Sequence, residues 1–302
     1  WGSTTGGDGG ANPPSGAIIY YRLGAGTDSA KVTLDIVDAS NATVRSYGSV
    51  ARRSVAKATG ANEVAAKASA PAAPDSTSSI PGSSGMHRVV WDLRAARLDV
   101  PKGMTFFGAT TGPLVAPGNY TVRLTADGRT FTAPLQVLQD PRGNLTPAQL
   151  ADQSRTMQTI AGRANAIFRD AKRLNDVRDQ VKMIAAHASD LPNSDSVSSA
   201  GARLAARLDS LSVDLVQPMH TNGQDIINFP NGVVDQWLFL ASEVNGSYMP
   251  VTNGAKQRLA DLEREWSAVE TRVNDLLGPQ VSAFNTMLQG KAIVIVPQRG
   301  QE

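Results

Sequence analysis

The sequence predicts a two-part β + α protein: an immunoglobulin- or fibronectin-III-like β-sandwich followed by an antiparallel bundle of about four helices. Three observations predict it. Up to Asp140-Pro141-Arg142, apolar residues alternate in short runs set apart by Gly, Pro and Asn. Beyond that tripeptide they recur every three to four residues through the 141–288 stretch. Between the two patterns stands a helix start signal, Thr146-Pro147-Ala148-Gln149, with Thr at the cap, Pro at the first helical position and Gln at the third. The expected organisation is a linker over 1–11, the sandwich over 12–140 with a long arm at 49–85, the bundle over 141–288, and a C-terminal tail over 289–302.

Taken in order, Ala17–Leu23 (AIIYYRL) and Lys31–Val37 (KVTLDIV) read as strands, with Gly24–Ser29 as the turn between them. Val32, Leu34 and Ile36 alternate with Lys31, Thr33 and Asp35, so one face should be buried and the other wet. Ala42–Tyr47 continues the pattern, which resumes at Met86–Leu93, Gly118–Thr125 and Thr130–Leu138. Ala126-Asp127-Gly128 supplies a tight hairpin. About seven short strands with such turns suit a sandwich. The arm, which includes SAPAAPDSTSSIPGSSG, has too few large apolar residues for a core of its own. That marks it as a candidate partner-binding segment, or as a stretch lying across its own domain.

The helical half carries four stripes. The first includes Leu150, Met157, Ile160, Ala164, Ile167, Ala171, Leu174 and Val181, and Leu191-Pro192-Asn193 ends it. The second runs Val197, Gly201, Leu204, Leu208, Leu211 and Leu215 until Pro218. Val233, Trp237, Leu240 and Val244 form the third. The fourth holds Leu259, Leu262, Trp266, Val269, Val273 and Leu276, with Pro279 predicting a break or kink before Phe284 and Leu288. Four stripes can satisfy one another, so an intramolecular core is preferred over docking of a partner helix.

Composition narrows the chemistry. The chain has 302 residues, 29 basic and 27 acidic, for a net charge of +2, a balance unlike that of a dedicated nucleic-acid binder. It contains no cysteine, which excludes disulfides, thiolate metal sites and cysteine nucleophiles and is compatible with export. No apolar run reaches the roughly 20 residues of a membrane helix; Ala292–Val296 is far too short. The opening Trp1 and the Gly-rich segment after it read as a connector from an upstream region.

Candidate reactive groups resolve toward structural roles. His87, His187 and His220 are the only histidines, and none has a second ligand at metal-binding spacing. His187 suits the negative end of the first helix. Gly82-Ser83-Ser84-Gly85 lacks the spacing of a nucleophile elbow and reads as a linker. A glycosidase pair needs two carboxyls across a cleft. Asp35 alternates with buried residues and should face solvent, and Glu263 and Glu265, two apart on a helix, should point to different sides, so a solvated face is the preferred reading of both pairs. Trp91, Trp237 and Trp266 sit on core stripes, where aromatics supply packing area rather than a sugar platform.

Several segments together resemble the region that follows the β-propeller of bacterial sortilin-like proteins, a family also described as BNR-repeat or glycosyl-hydrolase-like. They are Asn12–Tyr21, Val32–Asp38, His87–Arg94, Ala116–Val122, Asp140–Arg142 and Ile227–Pro230 followed by Gln236. The resemblance spans roughly residues 12 to 288 and rests on the ordered set. It implies an exported protein of the bacterial envelope, periplasmic or extracellular, with a propeller upstream. The hydrolase label belongs to that propeller, so no catalytic residue carries over; the long arm departs from the family pattern.

The expected function is therefore a non-catalytic structural and protein-interaction module, an accessory subunit of a larger membrane-associated complex. Contact is expected through the 49–85 arm and the termini. The alternative is an accessory carbohydrate-binding portion of a propeller-type protein, with polysaccharide as ligand through Trp91 or Tyr120. No catalytic, cofactor-binding or metal residue is assigned, and nucleic acid is not expected as a partner.

Overall fold

The computed structural model describes residues 14–27, 31–49, 79–191, 193–246 and 248–298. The 49–85 arm is thus seen only at its ends, and residues 50–78 lie outside the described residues, as does the expected linker over 1–11. The chain combines β-sheets with helices in two compact units. One takes the chain up to Ala96 together with Pro117–Leu138. The other takes Arg97–Ala116 and everything from Gln139. A sandwich running unbroken to residue 140 would have held 97–116; that stretch packs with the helices instead.

Among the described residues the first unit has seven strands: β1 (Ala17–Leu23), β2 (Thr33–Val37), β3 (Thr43–Ser49), β4 (Ser79–Ile80), β5 (Gly85–Trp91), β6 (Gly118–Ala126) and β7 (Arg129–Val137). They form a five-stranded sheet in the order β4-β3-β2-β6-β7 and a two-stranded sheet of β1 with β5. β2 is central, with Leu34 opposite Tyr47 on one side and Leu124 on the other. The alternation in its sequence is obeyed: Val32, Leu34 and Ile36 are 0 % exposed. The β6–β7 hairpin closes at Asp127 (φ 49°) and Gly128 (φ 73°), both left-handed, which matches the twist of the flanking strands.

β1 does not pair with β2. Its partner is β5, from Ala17 opposite Trp91 to Leu23 opposite Gly85, so the turn expected at Gly24–Ser29 does not close a β1–β2 hairpin; Asp28 and Ser29 lie outside the described residues. The apolar run of β1 allows this, because pairing depends on which buried face the strand meets and not on sequence neighbourhood. Gly16 (φ +125°) starts the strand so close to the Trp91 carbonyl that a Cβ would stand 2.1 Å from its oxygen. Trp91 is fully buried, donates its Nε1–H to the Arg94 carbonyl (2.8 Å) and meets Tyr120 of β6 edge-on at 5.6 Å. The two sheets therefore face each other across a shared core.

In the second unit, α1 (Pro147–Ala186) runs 40 residues, about 60 Å at 1.5 Å per residue. Thr146 caps it, its hydroxyl accepting from the Gln149 N–H while the Gln149 side chain accepts from the Thr146 N–H. The other helices are α2 (Ser194–Leu215), the single turn α3 (Asp225–Asn228), α4 (Val233–Val244), α5 (Asn253–Asp275) and α6 (Val281–Met287). Neighbouring residues give their directions. Gly201 lies against Ala185, Arg178 binds Asp209 (2.6 Å) and the Ser212 hydroxyl reaches the Ala171 carbonyl (3.4 Å), so α2 descends along α1. Gly232 abuts the Leu215 carbonyl, and the Val244 carbonyl accepts from Gln153 (3.0 Å), so α4 prolongs that descent. Lys256 pairs with Asp152 (2.8 Å) and Arg163 with Glu263 (2.9 Å), so α5 runs the same way as α1.

The four apolar stripes thus make three columns, α1, α2 with α4, and α5 with α6, rather than four alternating helices. The reason is local: the 217–232 connection resets the chain without turning it round. Pro279 does not break the last column. Residues Leu276–Gln280 widen into a π-turn, which absorbs the missing N–H and lets the helix continue into α6. Leu208, Trp237 and Trp266 are all at most 1 % exposed within one continuous core.

Two extended segments are stitched onto these columns. Leu98 joins the core, Phe106 meets Phe168 edge-on at 5.4 Å, Thr105 N–H donates to the His220 carbonyl (2.8 Å) and Ala109 N–H to the Leu238 carbonyl (3.0 Å). At Gly108 a Cβ would stand 2.2 Å from the Leu238 backbone, so the strap fits only because that residue has none. The expected tail is likewise bound through Pro297. Asn285 exchanges two hydrogen bonds with Val294 (2.7 and 3.0 Å), and Gln180 exchanges two with Ile295 (both 2.9 Å). Side-chain amides there stand in for a neighbouring strand.

Candidate functional site

The groups singled out in the sequence are occupied by their own surroundings. Asp35 pairs with Arg123 (3.2 Å) and accepts from the Ser46 hydroxyl (2.6 Å). Asp38 folds the turn after β2, accepting from Ser40 Oγ (2.7 Å) and from the N–H groups of Ser40 and Ala42; the Ser40 hydroxyl bond leads in holding its carboxyl below the usual range. Glu263 binds Arg163 and Glu265 binds Arg258, on different sides of α5. The three tryptophans are at most 1 % exposed, which leaves no ring face for a sugar, and Tyr120 packs its ring on Trp91. Among the described residues, no group of three His, Asp or Glu could hold a metal ion.

The histidines separate. His87 Nε2 lies 2.6 Å from the Ser83 carbonyl oxygen, and His187 Nδ1 lies 2.9 Å from that of Met183 at the end of α1. His220 is fully buried, its Nδ1 3.9 Å from Asp235 Oδ2. That separation exceeds a hydrogen bond. Asp235 Oδ2 is instead held by the Gly232 N–H (2.7 Å) at the start of α4, and burial raises its pKa. His220 anchors the 217–232 connection, its Nε2 lying 3.4 Å from the Phe229 carbonyl oxygen and its own carbonyl accepting from the Thr105 N–H of the strap (2.8 Å).

Asp140 and Arg142, at the change of rhythm, form a bidentate pair (3.0 and 2.7 Å) with Arg142 stacked on Tyr248 at 5.2 Å. The Arg142 hydrogen bonds, first among several causes, hold the Asp140 carboxyl far below its ordinary range. Arg142 is exposed and Asp140 half-buried in the helical unit, and the cluster is a clamp on the start of that unit.

A groove of about 470 Å³ lies open in the sheet unit. It lies on the side of β1 away from β5, lined by Ile18, Tyr20 and Arg22 from β1 and by Phe131, Ala133 and Leu135 from β7. Five strands face two, so β7 overhangs: all of its residues except Leu135 and Val137 are exposed. Ile18 is 42 %, Tyr20 65 % and Phe131 59 % exposed. Tyr21, next along β1, turns the other way, donates its hydroxyl to the Pro81 carbonyl (2.6 Å) and has its pKa pushed up to about 12 by burial. The helical unit's concavity between α1 and α2 is lined by alanines and Gly201, with Lys182, Ser198 and Asp209, and by no large apolar side chain.

Sequence reasoning placed these β1 residues in a strand without marking them as a surface. The signal was present: AIIYYRL is apolar on both faces, unlike half-wet β2, and such a run asks for cover on both sides. Set against protein-family models, curated proteins and solved structures, the chain matches none. No helix among the described residues is long and apolar enough to cross a membrane.

Proposed function

We propose that this chain is a non-catalytic structural and protein-interaction module of an exported bacterial envelope protein, an accessory subunit that steadies a larger membrane-associated complex. The observation that carries this reading is the groove beside β1, where apolar side chains and a strand edge with no partner among the described residues stand together. Exposed contiguous apolar surface of this kind marks interaction sites. Two facing, largely antiparallel sheets support the finer reading of the unit as an immunoglobulin- or fibronectin-III-like sandwich. The structural partners of the carboxylates and histidines support a non-catalytic role. Periplasmic or extracellular placement follows from the same reading, and the 49–85 arm is its second contact.

The experiment is isolation of the native assembly with wild-type chain and with a variant in which the 50–78 part of the arm is replaced by a Gly/Ser linker of equal length, which spares β3, β4 and β5. The variant should keep its circular dichroism spectrum and lose co-purifying partner. An assembly of unchanged composition and yield sinks the role given to the arm; a chain that elutes alone in both cases sinks the module reading.

A further inference from the structure

We propose that the groove of the sheet unit accepts an extended strand of a partner protein, hydrogen-bonded to the free edge of β1, with alternate apolar side chains on the inner face of β7 and a carboxylate against Arg22. This rests on the interaction-module reading and names the chemistry of its contact.

The backbone argues for a strand. Among the described residues β1 has one neighbour, β5, so its other edge presents the N–H and C=O groups of every second one of its seven residues toward the groove. Natural edges are guarded by proline, bulges or short length. β1 has none of these: its seven residues contain no proline and its register with β5 is unbroken. A third strand would sit about 4.8 Å beyond β1 and so lie over the inner face of β7. Its inward side chains would bury Phe131, Ala133 and Leu135, and its backbone would satisfy the β1 edge. Helices and flat apolar ligands would cover the side chains but leave the edge unpaired.

Charge argues for acid and against a second copy. Arg22 is the sole charged residue lining the groove; among the described residues neither a carboxylate nor a side-chain hydrogen bond engages it. Arg88, on the same outward face through the Tyr20–Arg88 pairing, is also exposed and without an ion pair there. Two copies paired edge to edge through β1 would bring four such guanidinium groups into one patch, and like charges in a shared face repel. The first 13 residues are an unsuitable occupant too: WGSTTGGDGGANP has five glycines and no apolar alternation.

The test uses the full chain and four labelled heptapeptides, followed by fluorescence polarisation at low salt. They are Val-Asp-Val-Thr-Val-Asp-Val, the same peptide with Lys in place of Asp, and the acidic peptide N-methylated at two alternate amides in one register or in the other. The acidic peptide should bind about fivefold better than the Lys peptide, the scale of an exposed ion pair, and Arg22→Glu should reverse that preference. N-methylation on the edge-facing register should weaken binding about tenfold, since it removes two backbone hydrogen bonds; methylation in the other register should not. Equal binding of acidic and Lys peptides, or indifference to N-methylation in both registers, overturns the proposal. So does a concentration-dependent dimer abolished by Phe131→Arg, which would assign the groove to a second copy. Binding that emerges only when residues 1–13 are removed would assign it to the chain itself. If the native assembly survives Arg22→Glu and no peptide binds, the strand proposal falls while the module reading stands. Peptide binding by a chain that never joins an assembly would do the reverse.

Discussion

The two units solve the same problem to different degrees. In the helical unit every stripe finds a stripe, and two extended segments, 97–116 and the residues up to Pro297, are drawn in to close what the columns leave open. Among the described residues of the sheet unit five strands face two, and the surplus inner face of β7 stands exposed beside an edge that none of those strands pairs. The difference teaches where function belongs. A helix satisfies its own backbone and needs only apolar cover, whereas a sheet that ends early leaves both side chains and hydrogen bonds unsatisfied.

The contrast should be broken most severely inside the helical core. Trp237→Ala, at a fully buried site, should cost about 3–5 kcal/mol, read as loss of 222 nm ellipticity in a denaturant titration. Leu34→Ala, equally buried in the central strand β2, should cost about 2–4 kcal/mol and be read from the near-ultraviolet signal of the Trp91–Tyr120 pair. If it costs no more than a surface change, the sheet unit has no real core and the comparison fails.

The stitched segment offers a smaller test. Gln180→Ala removes both hydrogen bonds to Ile295 and should cost about 1–2 kcal/mol, with hydrogen exchange at the Ile295 amide rising well beyond that at Ile160. Asp235→Asn should be smaller again and should depend on pH. Burial raises the Asp235 pKa in the folded state, so the stabilisation linked to its proton is complete below the unfolded value of 3.8 and lost as pH rises through the folded value. The asparagine variant should therefore melt higher than wild type at pH 7, and the gap should close below pH 3.8. A gap that widens in acid would mean that Asp235 stabilises as a carboxylate. Last, Tyr20→Ser and Phe131→Ser should each change stability by no more than about 0.5 kcal/mol, because the groove holds these side chains in solvent. A large loss at either would show the groove to be part of the core.

Much of this was legible in the chain itself. Period-two alternation located β2 and β6, Asp127-Gly128 located their hairpin neighbour, and Thr146-Pro147 located the start of α1 within a residue. The groove was half legible, in the two-sided apolar run of β1. The allegiance of 97–116 was not: its apolar residues follow neither period, and Gly108 announces nothing until Leu238 lies across it. The binding of 292–297 depends on Asn285 and Gln180, whose amides look like ordinary surface residues until a strand passes beside them.

By itself, then, the sequence determined that a β-rich part precedes a helical part, where most elements begin and which of their faces are apolar. Periodicity encodes those facts because a strand repeats every two residues and a helix every 3.6. The tertiary structure alone decided that β1 joins β5, that α4 prolongs α2, and that β7 overhangs its opposing sheet. A periodic pattern says that a face must be covered; only the folded chain chooses what covers it, and at the groove beside β1 the described chain supplies nothing.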